Sequence, residues 1–201
     1  MSNSDPNKVD KRRRRMLITA TSVVGAVGTA ALATPFLISW MPSAHALNAG
    51  APAEANISKL QDGQKVDIIW QGKPIWIIKR TEKMLADLPN NDGLLVDPAS
   101  AVPDQQPEYA TNATRARKPE ILVLIGLCTH LGCVPSYRPE LAPADLGADW
   151  KGGFYCYCHG SRFDLAGRVF KNVPAPTNLV VPPHYYKSDD VILIGEDGGA
   201  A

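Results

Sequence analysis

The feature that most constrains this chain is a pair of short boxes rich in cysteine and histidine. The first box is Cys128–Cys133 (CTHLGC), and the second is Cys156–Ser161 (CYCHGS). Together they hold all four cysteines of the 201-residue chain and two of its four histidines. Thiols and imidazoles concentrated in this way are typical of a metal site or of a disulfide scaffold. The fold therefore has to bring two separate stretches of chain to one place.

Each box offers one Cys and one His at a spacing that lets both side chains reach one metal ion, and each has a further cysteine. The Cys–His pairs are Cys128 with His130 and Cys156 with His159, and the further cysteines are Cys133 and Cys158. Two thiolates and two imidazoles are ligands of structural zinc, and also of a [2Fe–2S] cluster in which two histidines replace two cysteines on one iron. Six donors are too many for one zinc ion, whereas the cluster needs four and leaves two cysteines free to bridge. A scaffold held by disulfides alone is the third alternative.

The paired boxes resemble those of the Rieske iron–sulfur protein family, and the extra cysteine in each box marks the branch of that family that carries a disulfide. The ligands implied by the resemblance are Cys128 and Cys156 on one iron and His130 and His159 on the other. The resemblance also implies a disulfide between Cys133 and Cys158, and it assigns the quinol contact to His159. Imidazole ligands in place of thiolates raise the reduction potential of the cluster, which suits oxidation of a quinol.

The resemblance gives a role near the cluster to further residues, which are Leu131, Ser161, Phe163 and Pro174. Ser161 stands where the family has a serine that donates a hydrogen bond to a bridging sulfide and so raises the potential. Many quinol-oxidising members have Tyr at the position of Phe163, and that hydroxyl bonds a ligand sulfur, so we expect a lower potential here. Leu131 is expected to cover the cluster. Pro174 belongs to a segment, residues 173–176 (VPAP), that resembles the family's proline-rich cover.

The sequence departs from the family pattern at three other places. Val173 replaces the usual Gly before the proline-rich segment, and Tyr157 replaces the usual Pro of the second box. The stretch from Leu131 to Tyr155 is longer than in the commonest members, and residues 136–151 within it resemble a surface insertion. We expect this insertion to be a solvated loop rather than a contact with a partner subunit. The remaining histidines, His45 and His184, lack ligand spacing and are expected to have no part in the site.

The N-terminal part of the chain has the pattern of an exported, membrane-anchored protein. Lys11–Arg15 (KRRRR) directly precedes an uncharged, largely apolar run from Met16 to about residue 44. Such a run can cross the ~30 Å hydrocarbon core, for which ~20 residues suffice, and the basic residues before it favour a cytoplasmic N-terminus. Residues 13–17 (RRRML) resemble the twin-arginine export signal, with Arg13 and Arg14 as the arginine pair. A route for folded cargo fits a protein whose cluster is assembled in the cytoplasm.

These observations predict four regions. Residues 1–15 form a cytoplasmic N-terminus with the export signal, 16–41 a transmembrane anchor, 42–56 a flexible linker rich in Ala, Gly and Pro, and 57–201 the Rieske head. Residues 43–46 (SAHA) offer small side chains to a signal peptidase, but the apolar run is longer than the core of an ordinary leader. We therefore expect the anchor to be retained in a bacterial inner membrane, crossing once, with the head in the periplasm.

Short apolar runs separated by turn residues predict a mainly β head, in which antiparallel strands carry the cluster-binding loops at one end. Val66–Trp70 and Ile75–Lys79 are predicted to form a hairpin around residues 71–74, and Thr81 is predicted to cap a short helix. The expected fold class is therefore a Rieske-type antiparallel β head with one N-terminal transmembrane helix.

The resemblance covers anchor, linker, head and both boxes. It implies the Rieske subunit of a bacterial ubiquinol:cytochrome c oxidoreductase, an electron-transferring enzyme subunit that oxidises ubiquinol at a [2Fe–2S] cluster and passes the electron to a c-type cytochrome subunit. The implied partners are that subunit, a b-type cytochrome subunit, ubiquinol and the membrane, within a dimeric complex. The alternative is the Rieske small subunit of a periplasmic arsenite oxidase. A net charge of only +1 gives no overall electrostatic support for nucleic-acid binding.

Overall fold

The structure of the protein is a computed structural model that describes residues 9–43 and 50–198. The chain divides into two units, residues 1–47 and residues 48–201. Most of the expected signal-peptidase site, including His45, lies outside the described residues.

The described part of the first unit is dominated by helix α1 (Lys11–Ser39). Its N-cap is Asp10, whose carboxylate accepts hydrogen bonds from the backbone N–H groups of Arg12 and Arg13 at 2.9 and 3.2 Å. The helix is long and apolar enough to cross a membrane, with a mean hydropathy of 1.8 over an 18-residue window. Threonine hydroxyls within α1 donate to the carbonyl one turn earlier, at Thr21, Thr29 and Thr34. These polar groups are therefore satisfied without water.

Residues 50–198 of the second unit form three antiparallel sheets of three strands each. The strands are β1 (Ala53–Asn56), β2 (Lys65–Trp70), β3 (Lys73–Lys79), β4 (Ile121–Ile125), β5 (Ser136–Arg138), β6 (Gly153–Cys156), β7 (Ser161–Asp164), β8 (His184–Ser188) and β9 (Val191–Ile194). The sheet orders are β1-β9-β8, β2-β3-β4 and β5-β6-β7. The helical segments are α2 (Glu82–Asp87) and three short 3-10 helices, Leu88–Leu94, Pro103–Gln105 and Glu108–Ala110. The expected mainly β, antiparallel head is confirmed.

The β2-β3-β4 sheet is the central layer of this unit. Residues alternate between its two faces, as the period of a strand requires. Ile75 and Ile77 pack with Ile192 and Ile194 of β9, whereas Trp76 packs on the other side with residues of β6 and β7. Burial on both faces explains the continuous apolar run of β3 and β4. This central sheet supports the first box, which follows β4.

The predicted hairpin and the predicted short helix are both present. The β2-β3 turn is tighter than expected: Gln71 and Gly72 alone form it, with φ of 50° and 71°, and Lys73 and Pro74 belong to β3. Two positive φ values match the type I′ turn, whose twist suits adjacent antiparallel strands. The Thr81 hydroxyl accepts a hydrogen bond from the Met84 N–H at 3.2 Å and so caps α2.

Two expectations about chain regions are corrected. The expected linker, residues 42–56, overlaps strand β1, which pairs along its whole length with β9. The expected solvated loop, residues 136–151, contains strand β5 and buries Leu146 and Trp150, which are 5% and 2% exposed. Both corrections have the same cause, because each segment is ordered by pairing with a strand outside it. β1 pairs with β9, and β5 pairs with β6. We call residues 136–151 the lobe.

A buried ion pair ties the end of β7 to the segment after α2. The side chains of Asp164 and Arg168 are 0% and 1% exposed, and Arg168 Nη2 lies 2.7 Å from Asp164 Oδ2. Asp164 Oδ1 also accepts the backbone N–H groups of Ala166 and Arg168 at 2.9 and 2.8 Å. Arg168 donates further to the Leu88 carbonyl at 2.9 Å. Every charge in this pair is therefore compensated inside the fold.

His184 is fully buried on β8 and stays neutral in the folded state. Its Nδ1 lies 2.8 Å from the Pro182 carbonyl oxygen and 3.2 Å from the Tyr109 hydroxyl. Burial lowers the pKa of His184 to about 4, whereas an unfolded histidine has a pKa of about 6.5. Between about pH 4 and about pH 6.5, the unfolded state therefore binds a proton that the folded state does not.

We expect His184 to make stability depend on pH between about 6.5 and 4. The stabilisation is complete above the unfolded pKa and falls as the pH drops towards the folded pKa, by about 3 kcal/mol in all. Urea unfolding of the wild type and of His184→Asn at pH 7 and pH 4.5 measures it. Other groups titrate in both proteins, so the quantity to compare is the difference in free energy of unfolding between the wild type and the variant. We expect this difference to change between pH 7 and pH 4.5. An unchanged difference would show that His184 does not titrate as expected.

Candidate metal centre

The two boxes form the same backbone turn on two adjacent loops. The first box follows β4, and the second joins β6 to β7. In the first, the Gly132 N–H donates to the Cys128 carbonyl at 2.9 Å, and in the second the Gly160 N–H donates to the Cys156 carbonyl at 2.8 Å. Both glycines have φ of 78°, a left-handed conformation that favours glycine. Each box therefore turns back on its own first cysteine.

Gly126 lets the first box leave β4 against the central core. A Cβ at this position would lie 2.2 Å from Cε2 of Trp76. The Trp76 ring is 1% exposed and stacks on Phe154 of β6 at a centroid distance of 4.9 Å. Since neither ring has room to move, a side chain at Gly126 would displace the chain just before Cys128.

The four predicted ligands separate into a buried sulfur pair and an outer imidazole pair. Cys128 and Cys156 are 3% and 2% exposed and lie in one apolar cluster. The rings of His130 and His159 meet edge to face with centroids 4.8 Å apart. His159 is exposed and His130 is half-buried. The structure thus brings all four residues together, with the softer donors inside and the titratable donors outside.

This arrangement of donors fits a [2Fe–2S] cluster. Burial raises the pKa of Cys128, next to the side chain of Cys156, so this thiol keeps its proton unless a cation replaces it. Two sulfur donors on one side and two nitrogen donors on the other match a cluster with differently ligated irons. The sulfurs of Cys133, Cys156 and Cys158 also lie within 4.8 Å of one another, but two of these form a disulfide.

The remaining cysteines form the expected disulfide. Cys133 and Cys158 are bonded to each other with their Cα atoms 6.7 Å apart. The Cys128 N–H donates to the Cys133 carbonyl at 2.7 Å, which closes the first box. The disulfide therefore joins the far end of the first box to the middle of the second.

A third loop, residues 173–177, is held against both boxes by hydrogen bonds. The Ser161 hydroxyl oxygen accepts the Ala175 N–H at 3.0 Å, and the Thr129 hydroxyl donates to the Thr177 carbonyl at 2.7 Å. Because Ser161 accepts from the loop, its hydroxyl proton remains available to donate. Ser161 is fully buried, and its side chain lies next to that of Cys128.

Sequence reasoning missed Thr129 and the role of Ala175, since a backbone N–H leaves no trace in the residue type. The departure at Val173 is explained by its neighbour: Asn172 takes the left-handed conformation, with φ of 59°. Asparagine tolerates this region better than other non-glycine residues. Val173 itself packs against the apolar cluster that holds the buried cysteines. The loop thus reaches the boxes without the usual glycine.

The outer rim of the centre is apolar. Leu131, Val134 and Tyr157 are 71%, 59% and 61% exposed. Pro174 is also exposed. Leu131 lies directly next to His130 in the chain, and Tyr157 lies two residues before His159. An exposed histidine with exposed apolar residues near it in the chain suits contact with an apolar partner.

Phe163 lies on β7 among the side chains that enclose the buried cysteines, and it is fully buried. We expect Phe163→Tyr to raise the midpoint potential, because a hydroxyl donor to a ligand sulfur stabilises the reduced state. Redox titration followed by EPR measures the potential. Phe163→Leu serves as the control, since it changes the packing without adding a donor. A Tyr variant with an unchanged or lower potential would contradict the argument.

Comparison with known proteins gives two family matches. Residues 94–183 match the Rieske [2Fe-2S] domain, and residues 3–43 match the family described as "Ubiquitinol-cytochrome C reductase Fe-S subunit TAT signal". The ubiquinol-cytochrome c reductase iron-sulfur subunit of Allochromatium vinosum is 63% identical over 193 residues, which cover 96% of this chain and 93% of that protein. The subunits of the same name from Blastochloris viridis and Rhodospirillum rubrum are 42% and 39% identical, over 97% and 92% of this chain and 98% and 93% of theirs.

Proposed function

Since the chain belongs to the family of Rieske iron–sulfur subunits of ubiquinol–cytochrome c reductase, we propose that it transfers electrons from ubiquinol to a c-type cytochrome subunit. Cys128 and Cys156 would hold one iron of the cluster, and His130 and His159 the other. The bound [2Fe–2S] cluster supplies a one-electron couple of high potential. The observation that carries the proposal is the exposed His159 at an apolar rim above two buried cysteines.

The protein's own side chains bind the quinol and move its proton. The imidazole nitrogen of His159 that does not face the metal accepts the hydrogen bond of a quinol hydroxyl and then its proton. Leu131 and the neighbouring apolar rim exclude water from this contact, which strengthens the hydrogen bond. With a cluster bound, the Ser161 hydroxyl would donate a hydrogen bond that stabilises the added negative charge of the reduced state. Its position depends on Ala175 of the third loop.

The anchor and the disulfide support a periplasmic head. In the proposed topology α1 crosses the bacterial inner membrane once, the basic residues before the apolar run hold the N-terminus in the cytoplasm, and Arg13 and Arg14 direct export of the folded protein. The disulfide Cys133–Cys158 suits an oxidising compartment. The proposed regions are the export signal (1–15), the anchor (16–41), a linker that ends before β1, and the head. The proposed partners are a b-type and a c-type cytochrome subunit in a dimeric complex.

The alternative, the small subunit of a periplasmic arsenite oxidase, is not favoured, since the relatives that align over nearly the whole chain carry the name of the reductase subunit. Purification of the protein from its native membranes, with identification of co-purified subunits, tests the proposal. We expect haem-bearing partners, a rhombic EPR signal of the reduced cluster, and electron transfer from ubiquinol to cytochrome c. A molybdenum-bearing partner with no haem subunit would refute it.

A further inference from the structure

Tyr157 of the second box is held by a side chain from outside the box. Nη1 of Arg138 donates a hydrogen bond to the Tyr157 hydroxyl at 2.5 Å. The same guanidinium binds Asp145 through two hydrogen bonds of 2.8 and 2.9 Å, and its Nε donates to Glu140. The planar, five-donor group is thus fixed by two carboxylates. The second N–H of Nη1 is the one that donates to Tyr157.

The lobe also fixes the backbone of Arg138. Arg138 pairs with Gly153 in the β5-β6 ladder, and its carbonyl accepts a hydrogen bond from Nε1 of Trp150 at 3.0 Å. Trp150 is 2% exposed. The backbone of Arg138 is therefore fixed, so little conformational entropy is lost when its side chain binds Tyr157. The lobe makes other contacts as well, since Tyr137 donates to the Gly63 carbonyl at 2.9 Å and Trp150 stacks on Phe170. The ladder pairing and the Trp150 hydrogen bond are the contacts that place this arginine.

Tyr157 lies close in the chain to both proposed ligands of the second box. It separates Cys156 from Cys158 and precedes His159 by two residues. Its side chain is 61% exposed, so burial does not determine where it lies. Its ring meets the ring of Tyr155 edge to face at 4.7 Å. The Arg138 hydrogen bond and this ring contact are the interactions that hold it.

We propose that Arg138 is a positioning residue for the second box: by holding Tyr157 it keeps the backbone that carries Cys156 and His159 in one conformation. The proposal rests on the proposed function, because the second box matters only if it carries cluster ligands. A looser box would let His159 and the cluster adopt a range of geometries. Exposed ion pairs contribute little to global stability, so the effect should be confined to the box.

The test uses the full-length protein in its purified complex, with Arg138→Met and Tyr157→Phe as variants. Arg162→Met is the matched control, since this arginine lies on the same sheet with its guanidinium carbon 5.9 Å from the Tyr155 ring. Hydrogen exchange of the amides in residues 156–160 should be about tenfold faster in both variants, the factor that one ordinary hydrogen bond allows. The EPR lines of the reduced cluster should broaden, and the thermal midpoint should stay unchanged.

Hydrogen exchange in the double variant should be no faster than in either single variant, because both substitutions remove the same Arg138–Tyr157 hydrogen bond. Arg138→Lys keeps the charge and loses the planar fork, so it should resemble Arg138→Met. The proposal is overturned if exchange in residues 156–160 is unchanged, if Arg162→Met has the same effect, if the single effects add, or if Arg138→Lys restores the wild-type rate. Failure of the proposed function would appear separately, as a wild-type complex without the EPR signal.

Discussion

Replacing Cys156 with alanine is expected to abolish cluster binding and, with it, all electron transfer. Each of the four proposed ligands supplies one of the four protein bonds to the cluster. Cys156 is 2% exposed and lies among apolar side chains, so neither water nor a neighbouring carboxylate can replace its thiolate. Iron content and the EPR signal of the reduced protein should fall to background. Alanine at Cys128, His130 or His159 should give the same result.

The control for this prediction removes both sulfurs of the disulfide and leaves the four proposed ligands in place. The variant Cys133→Ala/Cys158→Ala should still bind iron and give the EPR signal, because these residues bind each other and not the metal. It should lose about 3 kcal/mol of stability, the loop-closure contribution of a bond between residues 25 apart. If the double variant lost its iron as completely as Cys156→Ala, the division into ligands and disulfide would be wrong.

Asp164→Asn is expected to destabilise the head by about 3–5 kcal/mol, the cost of leaving a buried charge without its partner. Asp164 is fully buried beside Arg168. Its charge also supports two other buried arginines: burial lowers the pKa of Arg80 and of Arg115 to about 10, and the negative charge of Asp164 opposes this. One substitution therefore weakens the stabilisation of three cations. Urea unfolding monitored by tryptophan fluorescence measures the loss.

Asp92→Asn is the matched control. Asp92 accepts from Arg168 Nη1 at 2.9 Å, but its side chain is 51% exposed. Water can replace it, so its loss should cost less than about 1 kcal/mol. Equal effects of the two substitutions would show that burial does not decide the strength of this network. An Asp164 variant as stable as the wild type would refute the prediction outright.

Local sequence patterns predicted the elements that are stabilised by their own neighbours. Thr81 caps α2 because the acceptor and the donor are three residues apart. The β2-β3 hairpin follows from a two-residue turn that tolerates positive φ. Helix α1 follows from an uninterrupted apolar run. In each case the interactions lie within a few residues, so the residue types alone specify them.

The segments that were predicted wrongly depend on distant partners. The four residues of β1, which are Ala, Glu and Asn, carry no strand pattern, and only pairing with β9 orders them. Most of the lobe is exposed, as its charges predict, but the sequence does not reveal the strand β5 or the burial of Trp150. Polar, short segments of this kind are decided by tertiary packing.

The sequence by itself determined the chemistry of the centre. Residue types and spacing in the two boxes offered six donors for a metal site or a disulfide scaffold, and the resemblance they carry implied the cluster, its four ligands and the disulfide. Only the tertiary structure decided how those donors are arranged: sulfurs buried, imidazoles outermost, Ser161 and Thr129 bonded to the third loop, and Tyr157 bonded to Arg138. The physical reason is that metal affinity depends on which side chains are present, whereas burial and hydrogen-bond partners depend on contacts between residues far apart in the chain.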